Sequence, residues 1–415
     1  MLLREPSRPR RWTRHAWLFR TVAPCVLIFF CLAAASPQEK TPAPNPFERI
    51  ASQADQARDA NDLEKALVLY RRALGMRPGW AEGWWSLGTI LYEQDKYAEA
   101  SRAFQRVVSL HPDHGSANVM LGLCEFELGQ DNSALAHLQR GRKLGILKDP
   151  QLARVMLYHE GLLLLRKGRF EDAQQALSAL SRNGGDGEEL MLALGMSALY
   201  IFPTKLPPEG STAREVVMRV GKAEFLGATK KFDEARREYS SVADEFPQTA
   251  NIHFAFGRFL LSLGEVDQAV AAFRRQIQAS PDHVPARLQI AAAWYRVNSA
   301  GALEYAQEAV KLEPRRAFGH YLLGLLYLDT QNFAVAISEL ETAKRSYSNL
   351  PQLYFALGNA NARAGRKAEA VRARAIFARL NAKNERESKA MYYGEKSSGL
   401  SEQRVDSDTP GKPPE

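Results

Sequence analysis

From Ala81 onward the apolar residues Trp84, Leu87 and Leu91 recur at three- and four-residue intervals, and Ala100, Phe104 and Val107 do so again after a polar break at Glu93-Gln94-Asp95-Lys96. That spacing predicts two amphipathic helices of roughly 12–15 residues joined by a tight turn. Pro112 ends the second helix, because proline has no N–H to donate. The pattern then begins again. Stepping back 34 residues from Ala100, Phe104 and Pro112 finds Ala66, Tyr70 and Pro78, and stepping forward from Leu87, Gly88 and Ala100 finds Leu121, Gly122 and Ala134. In the second half, Ala235, Ala269, Ala302, Ala336 and Ala370 are spaced 34, 33, 34 and 34 residues apart. Pro247, Pro281 and Pro314 keep the same rhythm, and Phe256-Gly257, Leu323-Gly324 and Leu357-Gly358 recur in the first helices.

Nine repeats are expected, starting near Phe47, Ala81, Gly115, Arg154, Val216, Ala250, Val284, Ala317 and Pro351. The fourth is displaced by five extra residues within Gly145–Asp149. Between the fourth and fifth, Asn183-Gly184-Gly185-Asp186-Gly187 leads into a helix-like Glu188–Tyr200 and then a proline-bearing stretch from Phe202-Pro203 to Pro207-Pro208. Two readings stand for this insert at 181–212: a spacer helix continuing the stack, or a hinge between repeats 1–4 (47–180) and repeats 5–9 (213–384). Ser36–Pro46 reads as a Pro-rich linker and residues 385–415 as a disordered tail.

A small residue at position 8, alanine at position 20, aromatics at positions 4 and 24 and a closing proline together resemble the tetratricopeptide repeat family. The resemblance implies an all-α, right-handed α-solenoid of helix-turn-helix repeats. It also implies that positions 2, 5, 9, 12 and 13 of the first helices line a concave surface that binds a polypeptide. By that register the candidate partner-binding residues are Trp85, Tyr92, Val119, Leu123, Phe126, Tyr158 and Arg166 in the first half. In the second half they are Arg258, Tyr295, Tyr321, Phe355 and Arg363. Members that grip a chaperone's C-terminal carboxylate use Lys at position 5 and Asn at position 9 of a first repeat. Here position 5 is Trp85, Val119 or Tyr158, so that clamp is not expected.

Charge changes the picture at one end only. The chain is formally +8, but residues 1–35 hold six arginines and one acid, a net +5, which leaves +3 for the rest. The arginine-rich stretch precedes the apolar run Thr21–Leu32 and the small residues Ala33, Ala34 and Ala35. This is the layout of a signal peptide cut at Ala35/Ser36, bacterial in character. An uncleaved anchor using residues 16–35 is the other reading, and either places the folded part outside the cytoplasm, in the periplasm or cell envelope. Cys25 and Cys31 belong to that segment, so Cys124 alone remains and no intrachain disulfide is available. Cys124 is expected as a small buried hydrophobe, the alternative being a reactive thiol.

No catalytic or cofactor pattern is complete. His159-Glu160 lacks a second histidine at the zinc-protease spacing, where Leu163 stands, and Gly195-Met196-Ser197-Ala198-Leu199 lacks the last glycine of a nucleophile elbow. His111, His114 and His283 fall in turns, and His253 and His320 on first helices. The expectation is a non-catalytic scaffold or adaptor with no cofactor or metal, binding an apolar extended segment or helix. The alternatives are a nucleic-acid-binding solenoid, which the small mature charge disfavours, and an accessory subunit of an envelope enzyme complex.

Overall fold

The computed structural model describes residues 45–146 and 149–400. The signal or anchor segment, Cys25, Cys31, nearly all of the Pro-rich linker and residues 401–415 lie outside them. Every regular element among the described residues is helical. The helices come as hairpins: α1 (Pro46–Asp59) with α2 (Leu63–Met76), α3 (Ala81–Glu93) with α4 (Tyr97–Leu110), α5 (Gly115–Glu127) with α6 (Asp131–Lys143), and α7 (Pro150–Arg166) with α8 (Phe170–Arg182). After α9 (Glu188–Leu199) follow α10 (Thr212–Ala228), α11 (Phe232–Glu245), α12 (Ile252–Ser262), α13 (Val266–Ala279), α14 (Val284–Trp294), α15 (Ser299–Leu312), α16 (Ala317–Asp329), α17 (Phe333–Lys344), α18 (Pro351–Arg363) and α19 (Lys367–Leu400). The chain divides into two compact units, Met1–Glu238 and Tyr239–Glu415, with the division inside α11.

In four of the repeats a side-chain notch closes the hairpin. A Cβ added at Gly88 would sit 3.0 Å from the Phe104 ring, at Gly161 2.6 Å from Leu177, at Gly257 2.6 Å from Phe273 and at Gly324 2.5 Å from Leu340. The residue filling the notch at position 8 is therefore the one at position 24 of the same repeat, not chiefly the alanine at position 20. Phe104 and Phe273 are fully buried in these notches. A buried aromatic ring contributes several kcal/mol, so in these two hairpins much of the stability lies within the hairpin.

The turn between the two helices obeys a second rule. Position 15 is left-handed in eight repeats: Asn61, Asp95, Gly129, Gly168, Lys230, Gly264, Gln331 and Gly365, with φ between 57° and 78°. Glycine takes this conformation without steric cost, and Asn and Asp more readily than most other residues. The seventh repeat, one residue shorter, closes instead through Asn298 at φ −145°, whose side chain caps α15 by accepting from the Gly301 N–H at 3.1 Å. The missing residue of the 33-residue spacing is the left-handed one.

The insert is packed. α9 lies against α8 and, most extensively, against α10. Its contact with α10 is backbone on backbone: a Cβ on Gly195 would fall 1.9 Å from the Val217 carbonyl oxygen, and one on Gly221 1.6 Å from that of Met191. Leu190 and every residue from Leu192 to Leu199 are buried. The segment leaving α9 turns at Tyr200, itself left-handed, and is pinned where Tyr200 stacks on Phe170 at 4.9 Å and Phe202 meets the same ring edge-on at 5.1 Å. At the far end, α19 runs on to Leu400, past the point near Asn384 where composition placed the end of ordered structure. Glu385, Arg386, Glu387, Lys389 and Ala390 are good helix formers, and no proline interrupts before Pro410.

Candidate functional site

In the first compact unit, side chains near the C-terminal ends of successive first helices meet in a row. Burial, and then the negative charge of Glu127 on α5, push the hydroxyl pKa of Tyr92 on α3 up. Beside Glu127, Phe126 receives the edge of His159 at 4.7 Å and the Arg166 guanidinium at 4.5 Å, both from α7. Arg166 is held there by Asp131, 2.9 Å away at the start of α6. The Tyr158 ring meets His159 edge-on at 5.7 Å, and burial followed by the nearby Glu189 of α9 raises its hydroxyl pKa to about 12. Tyr92, Phe126 and Tyr158 are half-buried, so each keeps part of its ring in solvent, and Arg166 is exposed. The tyrosines stay protonated across physiological pH and present O–H donors beside apolar surface, with acids (Glu93, Glu127, Glu189) at the edge.

Two predicted members of this surface are not on it. Val119 and Leu123 are 0% and 2% exposed. Val119 packs where a Cβ on Gly141 of α6 would come within 2.4 Å of it. α5 is in contact with α4, α6 and α7, and everything from Ala117 to Glu125 is buried. A helix enclosed on that many sides has no free stripe at these positions. Trp85 is half-buried but engaged: its ring stacks on His114 at 5.4 Å and meets Phe104 at 5.5 Å, so it ties one hairpin to the turn that begins the next.

In the second compact unit the row is looser. Tyr295 is held by Asp329 and lies near Tyr321, and burial, then Asp329, raises its pKa to about 12. Tyr321 meets Tyr347 at 6.4 Å. Arg258 sits over Phe254 of its own helix at 5.8 Å. Phe355 is 53% exposed with one edge on Phe377, and Arg363 is exposed.

The turn histidines have a structural task. His114 Nδ1 accepts from the Ala117 N–H at 3.1 Å and His283 Nδ1 from the Ala286 N–H at 3.0 Å, each capping a first helix. His283 Nε2 lies 2.9 Å from the Asn251 side-chain oxygen, which assigns its proton to Nε2. Burial lowers the His283 pKa to about 4. A folded pKa below the ordinary 6.5 means the cap contributes fully above pH 6.5 and is lost as pH falls from 6.5 through 4. The protein is therefore expected to melt at progressively lower temperature across that window, and His283→Asn, which caps without titrating there, to show a shallower dependence. Identical pH profiles would remove the role assigned to His283.

Sequence reasoning missed the buried polar groups. The Tyr70 hydroxyl, in a side chain closed to solvent, donates to Asp55 at 2.7 Å and accepts from Arg58 at 3.0 Å. Glu125 pairs with His137 at 2.7 Å. Glu160, 1% exposed, meets Arg142 at 3.2 Å and accepts from Gln139 at 3.3 Å, and burial raises its pKa. Such groups stay charged or bonded inside a fold only when paired. All of these pairs link neighbouring helices, at sequence separations that carry no motif. Cys124 is buried, and burial first of all raises its thiol pKa to about 12, the state of an inert hydrophobe. Among the described residues no group of three or more potential metal ligands occurs, and no helix is long and apolar enough to cross a membrane.

Among known proteins, the tetratricopeptide repeat model matches residues 52–101, 87–145, 158–199, 224–284, 288–351 and 321–378. The Arabidopsis thaliana "Protein CTR9 homolog" is 25% identical over 294 residues, which is 70% of this chain and 25% of that protein. The Candida albicans peroxisomal targeting signal receptor is 21% identical over 285 residues, 69% of this chain and 43% of the receptor. The chain thus spans less than half the length of these curated relatives. Among solved structures, MamA from Desulfovibrio magneticus RS-1 aligns with a TM-score of 0.38 at 20% identity, over 41% of this chain and 96% of that one. The APC/C hetero-tetramer Cut9-Hcn1 aligns with a TM-score of 0.36 at 13% identity, over 85% and 91%. With the repeat model covering more than half of the sequence, and the hairpins it describes present throughout, the chain belongs to the tetratricopeptide repeat family.

Proposed function

We propose that the protein is a non-catalytic interaction scaffold of the cell envelope that holds a partner polypeptide on the concave face formed by its first helices. The observation carrying this reading is the row from Tyr92 through Phe126 and Arg166 to Tyr158, drawn from α3, α5 and α7 and meeting Glu189 of α9. Half-exposed aromatics with a cation and hydroxyl donors between them are the composition of interface hot spots. Their spread over successive helices suits an extended apolar segment or the face of a helix. The envelope location rests on the arginine-rich, apolar and small-residue sequence of residues 1–35.

Phe126→Ala with Tyr158→Ala is the informative pair, because Trp85 also packs the hairpin and its loss would disturb the fold. Partner capture from native envelope extract is expected to fall at least tenfold, about 1.4 kcal/mol, with helicity unchanged. Equal capture by the variant and the unmutated chain would move the site elsewhere. The location has its own test, N-terminal sequencing of the protein recovered from its natural source. Ser36 as first residue is the expected result, and an intact Met1 in a cytosolic fraction would end the envelope reading.

A further inference from the structure

Another face of α3 carries a second surface. Where α2 and α4 flank it, the half-buried Trp84 ring faces a groove of about 660 Å³, with Leu87 and Leu91 of α3 and Ala103 of α4 closed to solvent beneath it. The Arg71–Glu99 ion pair, 2.8 Å long, spans it from α2 to α4. Arg102 and Arg106, one helical turn apart on the exposed side of α4, stand along the rim with Ser101 and Gln105. Three arginines against one glutamate give the groove a net of +2, in a mature chain whose other 370-odd residues are almost balanced. Glu99 is already spent on Arg71, and Arg102 has no hydrogen-bond or ion-pair partner among the described residues. The floor is preset: the Trp84 indole N–H donates to the Pro78 carbonyl at 2.8 Å, which fixes the ring, and the Arg106 guanidinium stands over it at 5.8 Å.

We propose that this groove binds a short acidic segment of a partner protein, seating one bulky apolar side chain against the Trp84 ring and setting carboxylates against Arg102 and Arg106. Charge complementarity selects the acid, since neither of these cations has an ion-pair partner among the described residues. The half-buried Trp84 ring selects a hydrophobic side chain beside it, because taking its remaining apolar surface out of water is favourable. A nucleic acid suits the groove less well. Its cations do not form a continuous track, and Glu99 stands on the rim. The bland account of the same residues, solvated arginines over an ordinary inter-helix crease, predicts no selective binding, and the experiment separates the two.

The test is fluorescence anisotropy of the full-length chain with the fluorescein-labelled peptide DDFLDD, beside SSFLSS and DDSSDD. DDFLDD is expected to bind in a salt-sensitive manner, and each of the others at least tenfold more weakly. Arg102→Glu with Arg106→Glu, both solvent-exposed, is expected to weaken DDFLDD at least tenfold, and Arg102→Gln with Arg106→Gln, which also removes the Arg106 contact with Trp84 but reverses no charge, to fall between. Phe126→Ala with Tyr158→Ala is expected to leave it unchanged, which keeps this groove distinct from the concave row. Binding indifferent to the charge reversal overturns the proposal, as does binding lost in the Phe126/Tyr158 variant. Equal binding of DDSSDD overturns it too, since the Trp84 ring would then have no part. A labelled thymidine oligonucleotide that displaces DDFLDD, and is itself weakened by the charge reversal, would reassign the groove to nucleic acid.

Discussion

Gly221→Ala is expected to destabilise the first compact unit by about 3 kcal/mol or more, although it adds a single methyl group. The new Cβ would lie 1.6 Å from the carbonyl oxygen of Met191, and the atom in the way is backbone, so no rotamer change relieves the clash. Either α9 and α10 separate, uncovering the apolar faces of Leu190 and Leu192–Leu199, or one helix distorts. Gly75→Ala is the matched control. It is the same chemical change on a helix, but nothing lies within 4 Å of the added carbon. Relief of glycine's backbone entropy is expected to stabilise α2 there by up to about 0.5 kcal/mol. Thermal melts followed by circular dichroism read the difference in sign. Amide exchange locates it, with loss of protection centred on α9 and α10. A Gly221→Ala protein that melts with the unmutated chain would mean that the two helices do not touch along their backbones.

The second large effect is expected in the other compact unit, at the notch between Gly257 and Phe273. Phe273 is closed to solvent, and Phe273→Ala is expected to cost about 3–5 kcal/mol through lost burial and the cavity left behind. Gly257→Ala pushes a methyl to 2.6 Å from the same ring and is expected to destabilise as well. The two changes are not independent, because each answers the other: the added methyl occupies part of the space the ring vacates. The double variant is therefore expected to fall short of the summed losses by at least about 1 kcal/mol. The seventh repeat already carries this combination, with Ala291 and Ala306 both fully buried in one core cluster. Denaturation of the four proteins gives the coupling directly. Additive losses would mean that the glycine and the ring do not share a notch.

The period was legible because each anchor is buried for a reason that recurs. Ala66, Ala100, Ala134, Ala269 and Ala336 are all closed to solvent, and a position that must be small in every repeat leaves a visible trace. The turns were legible as breaks, in Asp95 and Gly264, but the left-handed rule behind them was not. Lys230 and Gln331 satisfy that rule without the residue types that advertise it. At the candidate site, Phe126, Tyr158 and Arg166 lie close to one another around His159. Val119 and Leu123 are buried instead, and the signal that they would be is in α5 itself. Ala117 to Cys124 contains one polar residue, Asn118, and a helix apolar all round is buried all round. The same signal in α9, apolar from Leu190 to Leu199 but for Ser197, marks a helix covered by more than one neighbour. Ion pairs such as Glu160 with Arg142 had no trace, because their partners are set by which helices meet and not by any local pattern.

The closeness of α9 and α10 bears on how such a gene can grow. A hairpin whose notch at position 8 is filled from its own position 24 is a self-sufficient cassette. Copying or deleting 34 codons preserves the fit, and the run of evenly spaced repeats from Ala235 to Ala370 has the form of that process. α9 and α10 are matched differently, glycine against a neighbour's backbone in both directions. A recombination event falling between them would set Gly195 or Gly221 opposite an unrelated helix and leave a gap where the carbonyl had been. Between α9 and α10, therefore, a repeat cannot be added or removed without breaking a fit of backbone against backbone.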